Sequence, residues 1–298
     1  MNITFKQLTV FVAIVRSGSI TAAADTLFMT KGAVSQTLAE LENQLGVRLF
    51  DRQHARLFIN NEGRKLLPVA DELLGRMQDV EQLFDDSHQN RQLTLGCTKT
   101  IGSYLLADMF NVFHAQYGWL PQAMIANTQE VSHKLNHFDI DIALLEGQAT
   151  EPNLITLPWI DDEMVIVVGK SHPLAAHQGS ISYTQLQQAS WILREKGSAS
   201  RAFFDNQLAV HLVNPEIVLT LNDFDAILAC VRHNLGITFI SQRAIKQPFY
   251  RHHFVQLTTE HRFYRKLTLC YHKDKFLSPT LKLWINFCQH WQETALQN

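Results

Sequence analysis

The stretch Ser19-Ile-Thr-Ala-Ala-Ala-Asp-Thr-Leu-Phe-Met-Thr-Lys-Gly-Ala-Val-Ser-Gln-Thr-Leu-Ala-Glu-Leu-Glu-Asn-Gln-Leu-Gly46 reads as two amphipathic helices joined by a tight turn. The first is short and offers Ile20, Ala23, Ala24 and Leu27 for packing. The second starts behind a hydroxyl cap, Thr30, carries Val34, Leu38, Leu41 and Leu45 at helical spacing, and is closed by Gly46. Only Phe28-Met29 separates them. A pair this compact, with small residues where the helices touch, is the shape that seats its second helix in the major groove of DNA.

Working outward, Phe5, Leu8, Phe11, Val12 and Val15 predict a preceding helix ending at Gly18, which completes a three-helix core. After Gly46, two short β-prone runs around Gln53-His-Ala-Arg56 predict a hairpin wing, with Arg52 and Arg56 set to reach phosphate or the minor groove. On the second helix, the face opposite the apolar stripe offers Thr30, Lys31, Ser35 and Gln36, residue types that contact base edges and phosphates.

The charge distribution agrees. Residues 1–66 hold eight bases and five acids (+3), whereas residues 67–90 hold Arg76 against six acids (−5), within a chain of net charge −2. A basic face confined to one end suits a specific DNA reader better than a coating protein. From Glu62 to about Ser87, Leu66, Ala70, Leu73, Met77, Val80 and Phe84 step by four, three, four, three and four, a heptad seam that predicts a dimerisation stem. The alternative is a helix packed on the rest of its own chain.

At 298 residues, 46% hydrophobic and 18% charged, the chain suits two or three folded domains. No apolar run reaches membrane-spanning length and no secretion signal opens the chain, so a cytoplasmic protein is expected. Cys97, Cys230, Cys270 and Cys288 are widely spaced, which predicts reduced thiols rather than disulfides or a zinc site. Cys97 is nonetheless weighed as a redox sensor. Beyond Asn90, strands and helices alternate, among them strands at 93–97, 123–126, 140–145, 164–168, 191–194, 217–221 and 237–240, with one helix over 101–117. The pattern implies parallel sheets covered by helices, the run Met164–Val168 being a buried parallel strand. No Walker loop, G-x-G-x-x-G or catalytic constellation is present, and His133 and His137 lack a third ligand, so neither an enzyme nor a metal site is expected.

Ligands of open α/β sheets bind beyond the carboxyl ends of strands. Those ends carry Thr98, Lys99, Thr100, Glu146, Gly147, Ser198, Arg201 and Asn222, a set of hydroxyls, helix starts and two cations that suits a small anion.

Ala22-Ala-Ala24, Ala33-Val-Ser-Gln36, Leu41-Glu42, Leu45-Gly-Val-Arg-Leu-Phe-Asp-Arg52 and Asn61-Glu-Gly63 resemble the signature of the LysR-type transcriptional regulators, and the resemblance extends along the whole chain. Lys31-Gly32 departs from the family's usual Gln or Ser followed by Pro or Ala. Further stretches (100–106, 158–163, 191–198) are similar to a subgroup that includes regulators of sulfur assimilation and carbon fixation. The resemblance implies an N-terminal all-α winged helix-turn-helix (1–61) and a linker helix (62–90), followed by an α/β two-lobed, periplasmic-binding-protein-like effector domain (91–298). Lobe I is expected at about 91–163 and 269–298, and lobe II at about 164–268. It further implies double-stranded operator DNA, a small effector (a small oxyanion, a carboxylate or a phosphorylated metabolite), a homodimer or homotetramer, and RNA polymerase as partners. No cofactor or membrane is implied. The rival reading is a small-molecule binding protein or enzyme whose N-terminal helices serve only assembly.

Overall fold

The computed structural model describes residues 2–53, 56–82, 92–149, 151–250 and 252–291. Its N-terminal head comprises α1 (Phe5–Ser17), α2 (Ile20–Thr26), α3 (Lys31–Leu45), the antiparallel hairpin β1 (Phe50–Gln53) and β2 (Arg56–Ile59), and the long α4 (Asn61–Gln82). Side-chain oxygens of Thr4, Ser19 and Thr30 cap the first three helices, and Gly18 and Gly46 close α1 and α3 in the left-handed conformation. Ala23 and Ala24 are buried between α1 and α3, where a larger side chain would separate the helices. The turn between α2 and α3 sends Phe28 to φ 53° and leaves its ring 98% exposed.

Four contacts fix the wing. The buried Glu42 accepts from Leu49 N–H (2.8 Å) and pairs with Arg48 (2.9 Å). Asn60 donates to the Arg48 carbonyl and accepts from Gly63 N–H, both at 2.9 Å. At Gly63 a Cβ would lie 2.4 Å from the Leu49 carbonyl oxygen, so glycine is required where α4 crosses the strand.

The C-terminal part contains β3 (Thr94–Thr98), α5 (Lys99–Tyr104), α6 (Leu106–Tyr117), β4 (Gln122–Ala126), α7 (Thr128–Asn136), β5 (Ile142–Glu146), β6 (Leu154–Gly169), β7 (Ser180–Ile181), α8 (Tyr183–Gln187), β8 (Trp191–Arg194), α9 (Ala199–Phe203), β9 (Ile217–Leu221), α10 (Phe224–Arg232), β10 (Thr238–Ser241), α11 (Gln242–Lys246), β11 (Phe254–Thr259), β12 (Phe263–His272) and α12 (Pro279–His290). Lobe I is built on β4-β3-β5, parallel to one another, around a core of Phe113, Trp284 and Leu144. Lobe II holds β7 to β11 around Trp191, Phe204 and Phe239. The antiparallel strands β6 and β12 run through both lobes and join them.

Three expectations are corrected here. The run Met164–Val168 is not a parallel strand: as part of β6 it pairs antiparallel with β10, β11 and β12. An apolar run reports burial on both faces and says nothing of strand direction. The single helix over 101–117 is two helices broken at Leu105, whose φ of −125° leaves the helical region. On the stem, Ala70 is fully buried in the head's own core, and Leu66 packs against that core half-buried. The exposed apolar stripe is instead Val69, Leu73, Met77 and Val80, because α4 first packs on α1 and only its far face is free. Phe84 lies outside the described residues.

Candidate functional site

Thr30, Lys31 and Gln36 are exposed on α3 and Ser35 is half-buried, on the side opposite the buried Val34, Leu38 and Leu41. The Thr30 hydroxyl accepts from Ala33 N–H (3.2 Å), and the Gln36 amide donates to Glu40 at 2.9 Å. No other part of the described chain walls this face in. Arg52 and Arg56 occupy the two wing strands, opposite Leu57 and Gln53 respectively, and their side chains lie outside the described set.

The second candidate region is the cleft between the lobes, organised by a residue that the sequence reading did not single out. Arg265, on the crossing strand β12, is almost wholly buried. Its guanidinium lies 2.7 Å from Glu146 at the end of β5 and 2.8 Å from Asp162 on β6, and donates to the hydroxyls of Ser200 and Thr100, both at 3.2 Å. Glu146 also accepts from Thr100 N–H (2.7 Å) and the Ser200 hydroxyl (3.1 Å). Asp162 accepts from Ser241 (2.6 Å) and pairs with Arg243 (3.2 Å). Burial alone would raise the Glu146 carboxyl, but Arg265 and the Thr100 amide outweigh it and hold the group below the usual carboxylate range. The same two carboxylates keep the Arg265 guanidinium charged against its burial.

The residues expected at the cleft meet there in unequal roles. Thr98 and Thr100 are buried, the Thr98 hydroxyl accepting from Glu146 N–H at 3.1 Å. Ser198 caps α9 through Arg201 N–H at 3.2 Å, and the Gly147 carbonyl accepts from Thr268 at 2.6 Å. Lys99 reaches across to the Asn222 carbonyl. Two of them already hold partners: Arg201 Nε donates to Asp205, four residues on (2.9 Å), and Glu146 is the counter-ion of Arg265. Arg194 is likewise engaged, bidentate on Glu195 and stacked over Phe224.

Other contacts close the lobes on each other: Gln129 N–H on the Gly197 carbonyl (3.3 Å) and the Tyr104 ring 5.8 Å from that of Phe224. The hydroxyls of Tyr104 on α5 and of Thr128 and Ser132 on α7 are buried without a hydrogen-bond partner among the described residues. Buried hydroxyls of this kind are ordinarily satisfied by an ordered water or a ligand.

Cys97, beneath the cleft, donates to the Met124 carbonyl at 3.6 Å. Burial and the nearby Glu146 push its thiol up to about 12, the opposite of a reactive thiolate. His133 and His137 stack at 4.1 Å, and no cluster of three metal-ligating side chains exists among the described residues.

Residues 5–64 match the family described as bacterial regulatory helix-turn-helix protein, lysR family, and residues 86–293 the LysR substrate binding domain. The chain therefore belongs to the LysR family of transcriptional regulators: a DNA-binding head joined to an effector-binding domain. It is 36% identical to the "Uncharacterized HTH-type transcriptional regulator YeiE" of Escherichia coli K12, over 97% of this chain and 98% of that one. It is 27% identical to the "HTH-type transcriptional regulator CysL" of Bacillus subtilis over 82% of each. Its fold is similar to that of a full-length OxyR variant from Pseudomonas aeruginosa (TM-score 0.75, 18% identity, 97% and 94% covered). The regulatory domain of Synechocystis CcmR in complex with 2-PG is also similar (TM-score 0.62, 22% identity, 68% and 98% covered). The relatives are named as regulators, and the rival reading of an enzyme finds no support among them.

Proposed function

We propose that this regulator reads its operator in the cytoplasm through Lys31, Ser35 and Gln36 of α3, with Thr30, Arg52 and Arg56 on phosphates, as a dimer or tetramer joined along the α4 stem. Its cleft takes a small oxyanion or carboxylate, whose binding changes the contact made with RNA polymerase at the promoter. The observation that carries the ligand class is the set of buried hydroxyls of Tyr104, Thr128 and Ser132 that lack partners. Hydroxyl donors suit a ligand whose surface is all acceptor, and Lys99, held only by a carbonyl among its recorded contacts, supplies the charge. That the similar CcmR regulatory domain was solved in complex with 2-PG supports a small ligand for this domain.

The test is a melting screen of the full chain against sulfite, sulfate, phosphate, acetate and glycolate, with their neutral amides and alcohols as controls. A true ligand at 100 times its Kd adds about 2.7 kcal/mol of stability. Thr128→Val is expected to abolish that shift. Stabilisation by the neutral controls alone would overturn the anion assignment. For the head, Arg52→Ala is expected to lower the salt slope of operator binding by about one and Lys31→Ala to relax base preference, both leaving melting unchanged. For the stem, Leu73→Asp is expected to yield monomers in light scattering.

A further inference from the structure

The head is docked on lobe I of its own chain through a few specific contacts. Phe138, in the turn after α7 with φ 59°, belongs to lobe I by sequence, yet its side chain is buried in the apolar cluster of the head with Leu8, Phe11 and Leu67. Its carbonyl accepts from Arg16 Nε at 3.1 Å. Lys275, in the segment after β12, is buried between two carboxylates, 2.8 Å from Asp71 on α4 and 2.8 Å from Asp141 of lobe I, with its ammonium 5.5 Å from the Phe138 ring centre. Asp141 is anchored in turn by Thr94, whose N–H and hydroxyl both donate to it at 2.7 Å. Next in sequence, Phe276 lies under the Arg76 guanidinium at 4.7 Å, where a Cβ on Gly75 would stand 3.1 Å from its ring.

Beside these contacts a cavity of about 680 Å³ separates α1 and α4 from lobe I, lined among others by Thr9, Val12, Leu74 and Gln78. The head is thus pinned at discrete points and not welded by a continuous apolar interface. A joint of that kind has one preferred angle while the pins hold and many once they are drawn.

We propose that Lys275 and Phe138 are positioning residues for DNA reading: they lock the head on lobe I of the same chain and so set the separation at which two heads of a dimer meet their half-sites. The dimer is that of the proposed function. The pins are tied to the cleft by one ladder. Asp141 directly precedes β5, which ends at Glu146, and Lys275 follows β12, which carries Arg265. The two strands pair through Leu267 with Glu146 and Cys270 with Ala143. Head and cleft contacts therefore sit at opposite ends of a single antiparallel pair.

The experiment uses the full chain and a duplex that the wild-type protein selects from a random library. Derivatives of the duplex have base pairs inserted or removed between half-sites, and a single half-site duplex serves as reference. Wild type is expected to prefer one spacing by about tenfold. Asp71→Asn, which keeps the Lys275–Asp141 pair intact, and Phe138→Ala are expected to bind all spacings within about threefold of one another, with half-site affinity unchanged. Lys275→Arg, which keeps the charge, is expected to retain the preference. An unchanged spacing profile in both Asp71→Asn and Phe138→Ala overturns the assignment, as does a loss of half-site binding equal to the loss on the full site. Light scattering separates the two readings: a monomeric wild-type protein overturns the dimer and with it the spacing claim, whereas a dimer with unaltered variants overturns the pins alone.

Discussion

Replacing Arg265 with methionine keeps a long apolar stem in the cleft and removes the charge that holds three elements together. Asp162 retains Arg243 at 3.2 Å and Ser241 at 2.6 Å, so the loss falls mainly on Glu146, whose ion-pair partner disappears from a fully buried position. Removing one partner of a buried pair costs about 3–5 kcal/mol. For an effector domain of this size each kcal/mol moves the melting point by about 2–4 °C, so a fall of roughly 6–20 °C is expected. The pH dependence follows from Glu146. In the wild type its depressed carboxyl contributes stability that is present above the ordinary glutamate value and fades as pH falls below it. In the variant, burial is opposed only by the retained Thr100 and Ser200 hydrogen bonds and by Arg194, so the group is expected to rise and the folded state to hold a proton that the unfolded state has released. The deficit then grows as pH rises past the ordinary value. Calorimetry of the full chain near pH 7.5 and near pH 5 is expected to show the larger gap at the higher pH. Adding Glu146→Gln is expected to recover much of it. A fall under about 2 °C, or an equal fall at both pH values, would refute the reasoning.

Glycine positions give two opposed expectations in the head. Gly32→Ala meets open space on α3 and is expected to stabilise the head by about 0.5–1 kcal/mol in chemical denaturation. Gly63→Ala drives a methyl to within 2.4 Å of the Leu49 carbonyl and is expected to cost about 1–3 kcal/mol and to weaken operator binding as the wing shifts. At Cys97, with its thiol raised to about 12, alkylation of the folded protein at pH 8 is expected to spare this residue and to modify the half-buried Cys230.

The head was almost fully legible in the sequence because its signals are local. Thr30 and Gly46 bracket a helix by capping chemistry, and the apolar spacing of Val34, Leu38 and Leu41 says which face turns inward. The stem was half legible: heptad steps identify a helix with an apolar side, but Ala70 and Val69 are one residue apart, and only tertiary packing decides which of them faces the head. The cleft was read least well. Arg201 and Glu146 lie at the strand and helix ends where ligands bind, but their partners, Asp205 and Arg265, claim them first, and the second of these is 119 positions away by subtraction of residue numbers. One signal for Arg265 was available. In Phe263-Tyr-Arg-Lys-Leu267 the strand period places Arg265 on the buried face with Phe263 and Leu267, and an arginine among inward apolar residues requires carboxylates opposite it.

The placement of the two ionic clusters bears on how such a chain responds to a ligand. Arg265, Glu146 and Asp162 tie both lobes to the crossing strands, and Lys275, Asp71 and Asp141 tie the head to the far end of the same ladder. A ligand that loosens or tightens the first cluster acts on β5 and β12, which the second cluster grips directly through Asp71 at the head end of α4. Thermodynamic linkage then demands reciprocity: if a ligand changes operator affinity by some factor, operator DNA changes ligand affinity by the same factor. Titrating the ligand identified by melting with and without saturating operator is expected to give that common factor in the wild type. Asp71→Asn, with the head unpinned, is expected to bring it close to one while both individual affinities persist. A coupling factor unchanged by Asp71→Asn would mean that the signal travels by a route other than the Lys275 cluster, and the ladder would then be a structural support and no part of the switch.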